Sequence, residues 1–441
     1  MPRAWPPLSR SASLDLADPE LSRARALPWL VVAGGAGVIL LGGQSWQLPG
    51  SYDWRPVLMW AVLSGAALLL IVARRRRLQP TLVLAILVVS GWLLVDLTFL
   101  GGRALRDLDL YLKAGLHFRL GQPVYLTDLV TGRPPDPTDY PYLYPPPTLP
   151  IAALLSSLPR PIVASGWVIA LVAAALVGLG RIGLSGWWRI AFLAWPPFAE
   201  GIYVGNVAVF LFLFVALAPW SGVGLVLGPL LKPPSAVISL WLVAERRWRD
   251  LVVGLAILGG IVLVTLPLTG PGLWADWLAG LGWFARSQPL VPATFYGIAL
   301  DRYLPALAVT LIGFGLLGLA VLAHGRPLLG RLGLVSVAVS PSLYAHGFMV
   351  ALPALLELRA LGLWAALAFT AGPPGPAWFG TLAIVVIGWF VSVLKRPAAP
   401  RADGRFVDET LEEQLHPLGL AREPWPGARM YQPAAEGQGC V

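Results

Sequence analysis

The sequence predicts an all-α polytopic membrane protein, a bundle of about twelve transmembrane helices with a large first outer loop. Its composition is 57% hydrophobic and 12% charged, with a mean hydropathy of +0.71, whereas an average soluble domain has about 25% charged residues. Several apolar stretches approach or reach the roughly 20 residues that a membrane helix needs. They cover 28–44, 56–73, 81–100, 250–269, 303–323 and 377–395. These runs are continuous rather than alternating, and hydrocarbon cannot hydrogen-bond to the backbone, so they predict helices and not barrel strands.

The basic residues predict the orientation of these spans. They cluster after the second span, before the span at 250 and after the last span, as Arg74 to Arg77, as Arg246, Arg247 and Arg249, and as Lys395 with Arg396. Loops rich in arginine and lysine remain in the cytosol, so both termini are predicted inside and the stretches at about 101–161 and 270–301 outside. This placement explains the formal net charge of +9, and we expect a lipid bilayer and no nucleic acid as partner. The richness in Ala, Gly, Leu, Arg and Pro suggests a GC-rich bacterial genome, so we expect the protein in the cell (inner) membrane of a bacterium.

Three regions follow from these patterns. We predict a cytosolic N-terminal segment at 1–27, a transmembrane domain at 28–396, and a cytosolic, mostly disordered tail at 397–441 that is rich in proline and charge. Apolar segments at 187–199, 221–231 and 234–244 are too short for a straight crossing and are interrupted by prolines. They predict half-helices or re-entrant hairpins.

The first outer loop holds an unusual density of charge for the far side of a membrane, which makes it the leading site candidate. Helical spacing from Asp107 pairs it with Tyr111 and pairs Asp109 with Lys113, so the two carboxylates point to different faces. One alternative is an ordinary surface pair of Asp109 with Lys113, with Asp107 paired to Arg103. A metal-binding Asp-x-Asp is a weaker alternative, because two carboxylates alone do not define a metal site. We expect no metal.

Aromatic residues and prolines continue this loop from Tyr125 to the run that contains Tyr144 and ends at Pro147. Rigid aromatic rings can line a groove for a sugar or a lipid. Runs of proline and aromatic residues also occur as extended connectors, and the sequence leaves both interpretations open.

Three further residues stand out in apolar surroundings. Lys232 lies between two apolar runs, where a lysine marks a polar pathway or an ionic partner unless it extends to an interface. His346 follows a proline at an outer helix end, and is either a structural hydrogen-bonder or a contact for substrate. Glu200 at another outer turn is a weaker candidate that orients the acceptor or faces water.

The order of the motifs adds a specific resemblance. The motifs are Asp107-x-x-x-Tyr111, Gly121-x-x-x-Tyr125, Tyr144-Pro145-Pro146, Gly205-Asn206, Leu231-Lys232-Pro233 and Ser340-Pro341-Ser342-Leu343-Tyr344-Ala345-His346. This order resembles glycosyltransferase family 87, the polyprenol-phosphate-mannose-dependent α-mannosyltransferases of the membrane. Two positions depart from the family pattern, since Tyr344 stands where tryptophan is usual and Asp109 is an additional acid.

The resemblance implies a GT-C fold with its active site at the outer leaflet and transfer of a sugar, expected to be mannose, with inversion. It implies a polyprenyl-phosphate sugar as donor, a glycolipid or polysaccharide as acceptor, and no cofactor. Asp107 is then the general base and His346 lies near the donor phosphate. The other expected substrate contacts are Tyr111, Tyr125, Tyr144, Asn206, Lys232, Asp109 and Arg103.

The residue chemistry agrees with these roles. A sugar hydroxyl is a poor nucleophile and needs a carboxylate to accept its proton. A departing lipid phosphate needs nearby cations, which Lys232, His346, Arg103 and Arg106 are placed to supply. A lipid-linked saccharide transporter or flippase is the main alternative, and an inactive scaffold is another. A transporter should carry polar groups along a full crossing path, whereas here they cluster on one side.

Overall fold

The computed structural model describes residues 104–125, 142–184, 195–286 and 299–357, together with 189, 192, 193, 379, 382, 383 and 385–390. The predicted spans at 28–44, 56–73 and 81–100, both terminal segments and Arg103 lie outside the described residues, and so does most of the span at 377–395. The predicted organisation into three regions therefore stays a prediction.

The described residues are mostly helical, with no strand among them, which agrees with the predicted all-α class. Short 3-10 segments join or precede several of the helices, at Pro146–Thr148, Pro233–Ser239, Leu300–Arg302 and Ala345–Ala351. The α-helices are α1 Arg106–Arg119, α2 Leu149–Ser156, α3 Arg160–Arg181, α4 Pro196–Val204, α5 Ala208–Leu217, α6 Val223–Leu231, α7 Leu240–Ala244, α8 Trp248–Arg286, α9 Ala306–Ala320, α10 Gly325–Ala338 and α11 Leu352–Glu357.

Two of these helices, α3 and α8, are long and apolar enough to cross a membrane. Large apolar side chains on them are exposed, such as Ile169 at 68% and Val264 at 73%, as lipid-facing residues would be. The other apolar helices in the described part of the chain are shorter than a crossing. The bundle of about twelve spans therefore stays a prediction.

Helix α8 is broken at Gly270, between Pro267 and Pro271. Gly270 has φ 63° and ψ 164°, a conformation that favours glycine because it has no Cβ. The second outer stretch was predicted to start at this residue. Beyond the break the chain is helical again up to Arg286, and Trp277 in this part donates a hydrogen bond to the carbonyl oxygen of Leu143 at 3.0 Å.

Helix α6 and the segment from Pro233 to α7 form a helical hairpin with Lys232 at its tip. Ser239 Oγ donates to the carbonyl oxygen of Leu225 at 2.9 Å, which pairs positions equally far from Lys232 on the two arms. The nine residues of α6 give an arm of about 14 Å, half of a bilayer core. The predicted short, broken helices at 221–231 and 234–244 are thus confirmed.

Arginine and tryptophan side chains gather at the base of this hairpin, which we call the arginine end. Arg181 lies 4.7 Å and Arg326 5.8 Å from the ring centre of Trp220, and Arg247 lies 5.2 Å from that of Trp241. Helix α3 runs from Arg160 to Arg181 over about 33 Å. The arginine end is therefore separated from Arg160 by about the thickness of a bilayer core.

Close packing places α1 against its neighbours. A Cβ on Gly115 would lie 2.2 Å from the carbonyl carbon of Ala152 in α2, so only glycine fits there. Leu108 and Leu149 are fully buried in the same apolar cluster. This packing fixes α1 against α2.

Candidate active site

A cavity of about 500 Å³ opens where α1, the turn after α4, the hairpin tip and the 3-10 segment Ala345–Ala351 meet. One part of its wall is polar or charged, and is formed by Arg106, Asp107, Tyr144, Asn206, Lys232, Ser340, Ser342, Tyr344 and His346. The other part is apolar, with Leu110, Leu143, Leu231, Leu281, Val339 and three prolines. The cavity thus joins a charged region to an apolar one.

Asp107 lies in the first turn of α1, where two hydrogen bonds fix its position. The Leu105 N–H donates to the carbonyl oxygen of Tyr203 at 2.7 Å, which ties the start of α1 to α4. Asn206 Nδ2 donates to Asp107 Oδ2 at 2.5 Å. Asn206 Oδ1 accepts from the N–H of Ala208 at 2.8 Å, so the amide orientation is fixed and its N–H faces the carboxylate.

The Gly205-Asn206 step permits this close approach. Gly205 ends α4 with φ 78°, a left-handed conformation that favours glycine. A Cβ at this position would lie 3.2 Å from that of Leu108. Trp167 Nε1 donates to the Gly205 carbonyl oxygen at 2.8 Å, which links α3 to the same turn.

Three predicted tyrosines lie together but differ in their access to the cavity. Tyr144 lines it, whereas Tyr111 and Tyr125 are 5% exposed and lie behind it. The Tyr111 and Tyr144 hydroxyls are 2.9 Å apart, and the Tyr125 hydroxyl donates to the Tyr144 carbonyl oxygen at 2.9 Å. In this arrangement Tyr111 and Tyr125 hold Tyr144.

Burial is the main cause that raises the pKa of Tyr144 above its ordinary value, and the nearby Asp107 carboxylate raises it further. The phenol of Tyr144 therefore keeps its proton at neutral pH. It can donate a hydrogen bond within the network that surrounds Asp107.

Lys232 brings a cation to the cavity at the tip of the hairpin. Its Nζ lies 3.8 Å from the position that a Cβ on Gly347 would take, beside His346. Lys232 breaks the helical pattern with φ −149° and ψ 110°, because Pro233 and Pro234 disfavour a continuous helix.

His346 is buried at 1% exposure and stacks on Tyr344, with ring centres 5.6 Å apart and an angle of 10° between the planes. Its backbone N–H donates to Glu200 Oε2 at 2.6 Å. Its Nδ1 lies 3.4 Å from the same oxygen. Glu200 is 5% exposed. The interpretation that it faces water is therefore wrong.

Arg106 lies near both Asp107, which is half-buried, and Glu200, which is buried. Its Nε is 3.4 Å from Asp107 Oδ1 and its terminal nitrogen 3.9 Å from Glu200 Oε1. The guanidinium carbon is 5.6 Å from the ring centre of Tyr344. Arg106 and His346 thus connect the cavity to the buried Glu200 carboxylate behind them.

Asp109 points away from the cavity and pairs with Arg160 through two hydrogen bonds of 2.8 and 3.0 Å. Both side chains are exposed, at 42% and 55%. Helical spacing correctly separated the faces of Asp107 and Asp109. It did not reveal Arg160, which is 51 positions further along the chain.

Within the described ranges, no group of three or more His, Cys, Asp or Glu side chains could hold a metal ion. Asp107 and Asp109 have different partners and do not converge on one point. The expectation that the protein works without a metal or a cofactor stays a prediction.

The family model of glycosyltransferase family 87 matches residues 142–403, more than half of the chain. The chain belongs to this family. Neither curated proteins nor solved structures gave a match.

Membership of family 87 makes the protein a glycosyltransferase, and together with the apolar helices it points to a membrane protein. The matched region contains Tyr144, Asn206, Lys232 and His346. Asp107 precedes it, so the match does not cover the candidate base itself.

Glu200 was predicted as a weaker candidate, yet it is buried and contacts two residues that line the cavity. The available signal was its setting in the apolar run that starts at Phe198, because an acid in such a run needs a partner. The identity of that partner could not be read, since His346 is 146 positions away.

Proposed function

We propose that this family 87 glycosyltransferase transfers a hexose, expected to be mannose, from a polyprenyl phosphate to a hydroxyl of a glycolipid or polysaccharide, with inversion. One observation supports the proposal. Asp107 lines the same cavity as Arg106, Lys232 and His346, next to an apolar wall. A lipid-linked sugar phosphate has the matching parts: a sugar, an anion and an apolar chain.

Asp107 acts as the general base in this proposal. Its carboxylate accepts the proton of the acceptor hydroxyl while that oxygen bonds to the anomeric carbon. The bond from the anomeric carbon to the phosphate oxygen breaks, and its electron pair leaves with the phosphate. The attack comes from the face opposite the leaving group, so the anomeric configuration inverts.

The phosphate would be held by the basic side chains. Lys232 and Arg106 are hydrogen-bond donors with a positive charge, and they stabilise negative charge most strongly in a site that excludes water. A lipid phosphate leaves as a stable anion, so no general acid is required. The apolar wall, with Leu231 and Leu281 among its members, would receive the first part of the polyprenyl chain.

The proposed location is a bacterial cell membrane, with the cavity facing outward and both termini in the cytosol. The arginine end supports this orientation, because Arg181, Arg247 and Arg326 gather away from Arg160 and basic residues favour the cytosolic side. Lipid-linked sugar donors are the donors expected where nucleotide sugars are absent.

Transport or flipping of a lipid-linked saccharide is the competing function. A transporter needs polar groups along a crossing path, whereas the charged residues of the described cavity converge on Asp107 and His346. An inactive scaffold would have no need for this arrangement of acid and bases.

The decisive experiment is to incubate membranes that carry the protein with labelled polyprenyl-phosphate mannose and to identify the labelled product. We expect a mannosylated glycolipid or polysaccharide with the inverted linkage, formed at least about 10²-fold more slowly by membranes with the Asp107→Asn variant. Movement of intact donor across the membrane without a new glycosidic bond would contradict the proposal and favour a flippase.

A further inference from the structure

The carboxylate of Glu200 has no part in the transfer proposed above, although it is buried beside the cavity. Burial of a charged carboxylate is costly unless partners compensate it. Glu200 has three: the backbone N–H of His346 at 2.6 Å, His346 Nδ1 at 3.4 Å and Arg106 at 3.9 Å. All three belong to residues that line the cavity.

The fold brings Glu200 and His346 together through a glycine contact. A Cβ on Gly201 would lie 2.8 Å from Met349 Cε and 3.3 Å from His346 Cβ. The 3-10 segment Ala345–Ala351 therefore packs closely on α4 at the residue after Glu200, and the acid meets the start of this segment. This proximity is built into the backbone of both elements.

The geometry also determines what Glu200 does to the imidazole ring. His346 Nδ1 is buried and has no hydrogen-bond partner among the described residues, yet it lies 3.4 Å from a carboxylate oxygen. The partner of one ring nitrogen sets the proton position on the other. A carboxylate at Nδ1 favours an N–H there and stabilises the ring when both nitrogens carry protons.

We propose that Glu200 is a positioning residue that orients His346 and stabilises the positive charge that the ring takes up when it binds the phosphate of the lipid-linked donor. The inference rests on the proposed function for the identity of that anion. Glu200 does not contact the donor itself but acts through His346, with a smaller contribution through Arg106.

The charged groups around the ring agree with this role. Lys232 adjoins it from the hairpin tip, Asp107 and Arg106 lie on α1, and Tyr344 stacks on it. Arg106, Lys232, His346 and Asp107 line the cavity, and Glu200 lies behind His346 and Arg106. A bound donor phosphate adds negative charge. Arg106, Lys232 and a protonated His346 together stabilise this charge better than the first two alone.

The substitution Glu200→Gln removes the negative charge of this side chain and keeps its size. The glutamine carbonyl oxygen can still accept from the His346 backbone N–H, so the local fold is retained, but the negative charge is lost. Glu357→Gln is a matched control. Glu357 is also a carboxylate paired with a buried arginine, Arg331 at 2.5 Å, but neither residue lines the cavity.

The test measures binding of a short-chain polyprenyl phosphate to the purified full-length protein, and also kcat and KM for polyprenyl-phosphate mannose. We expect about tenfold weaker binding and a higher KM in Glu200→Gln, with kcat changed less. Glu357→Gln should lower thermal stability and leave binding unchanged. In a His346→Ala background, Glu200→Gln should weaken binding only about threefold, because residues that act as a unit are not additive.

The outcomes separate this inference from the proposed function. Equal binding by wild type and Glu200→Gln, or the same tenfold loss with and without His346, would overturn the role of Glu200 while transfer by the wild type stands. A wild type that does not bind polyprenyl phosphate would overturn both. Binding without transfer would contradict the proposed reaction, and the comparison of Glu200 variants would still be decided by binding.

Discussion

Asn206 and Asp107 are joined by a hydrogen bond of 2.5 Å from an amide N–H to a carboxylate oxygen, although 99 positions separate them in the chain. The amide is not free to rotate its oxygen toward Asp107, because that oxygen accepts from the Ala208 N–H at the start of α5. A helix cap therefore determines the orientation of the candidate base.

Replacement of Asp107 by asparagine tests this base. The variant keeps shape and hydrogen bonding but cannot accept a proton, so we expect kcat to fall by about 10²- to 10⁴-fold while donor binding is retained. Asp109→Asn is the matched control, since its exposed pair with Arg160 contributes at most about 1 kcal/mol to stability. Initial rates of sugar transfer measure both. A larger loss in Asp109→Asn would move the base to Asp109.

Asn206→Ser tests the orienting amide. Serine still caps α5, but its side chain is too short to reach Asp107. Hydrogen bonds to charged groups contribute about 1.5–3 kcal/mol, so we expect kcat to fall about 10- to 100-fold with little change in thermal stability. Kinetics and a melting curve on the same preparation check this. Normal kcat would show that the carboxylate is held well enough without the amide.

Lys232→Ala should raise the KM for the lipid-linked donor about 10- to 100-fold, because a charged hydrogen-bond donor to phosphate is removed. Lys232→Arg preserves the charge and should lose much less. Donor titrations in membranes distinguish the two variants. An unchanged KM in folded Lys232→Ala protein would mean that the lysine only extends toward an interface.

Cysteine labelling tests the orientation of the chain. In a Cys440→Ser background, we expect a cysteine at position 133 to react with an impermeant reagent in intact cells. A cysteine at position 181, at the arginine end, should react only after permeabilisation. The reverse pattern would contradict the proposed outward-facing site and the use of lipid-linked donors.

The sequence predicted those features that depend on local spacing. Two acids four residues from Tyr111 and Lys113 had to lie on different faces of α1, and prolines beside Lys232 had to interrupt a helix. Contacts between distant segments could not be predicted in this way. Arg160 as partner of Asp109, and Glu200 beside His346, depend on how α3 and α4 pack, and no local pattern encodes that packing.

The tyrosines show the same limit. The sequence indicated that Tyr111, Tyr125 and Tyr144 belong together, and they do lie together. Which of them reaches the cavity depends on how the segment that carries Tyr144 packs against α1. Helical periodicity carries no information about that packing.

The hairpin of α6 and α7 has a consequence for the depth of the cation. Seven positions separate Lys232 from Leu225 on one arm and from Ser239 on the other, and these two residues are hydrogen-bonded. At the base, Arg247 is bonded to the Ala218 carbonyl and to Asp250, so the arms start from a fixed level. One residue added to α6 would lift the tip by about 1.5 Å and rotate it by about 100°. The length of the arms therefore determines the distance between the Lys232 ammonium group and the Asp107 carboxylate.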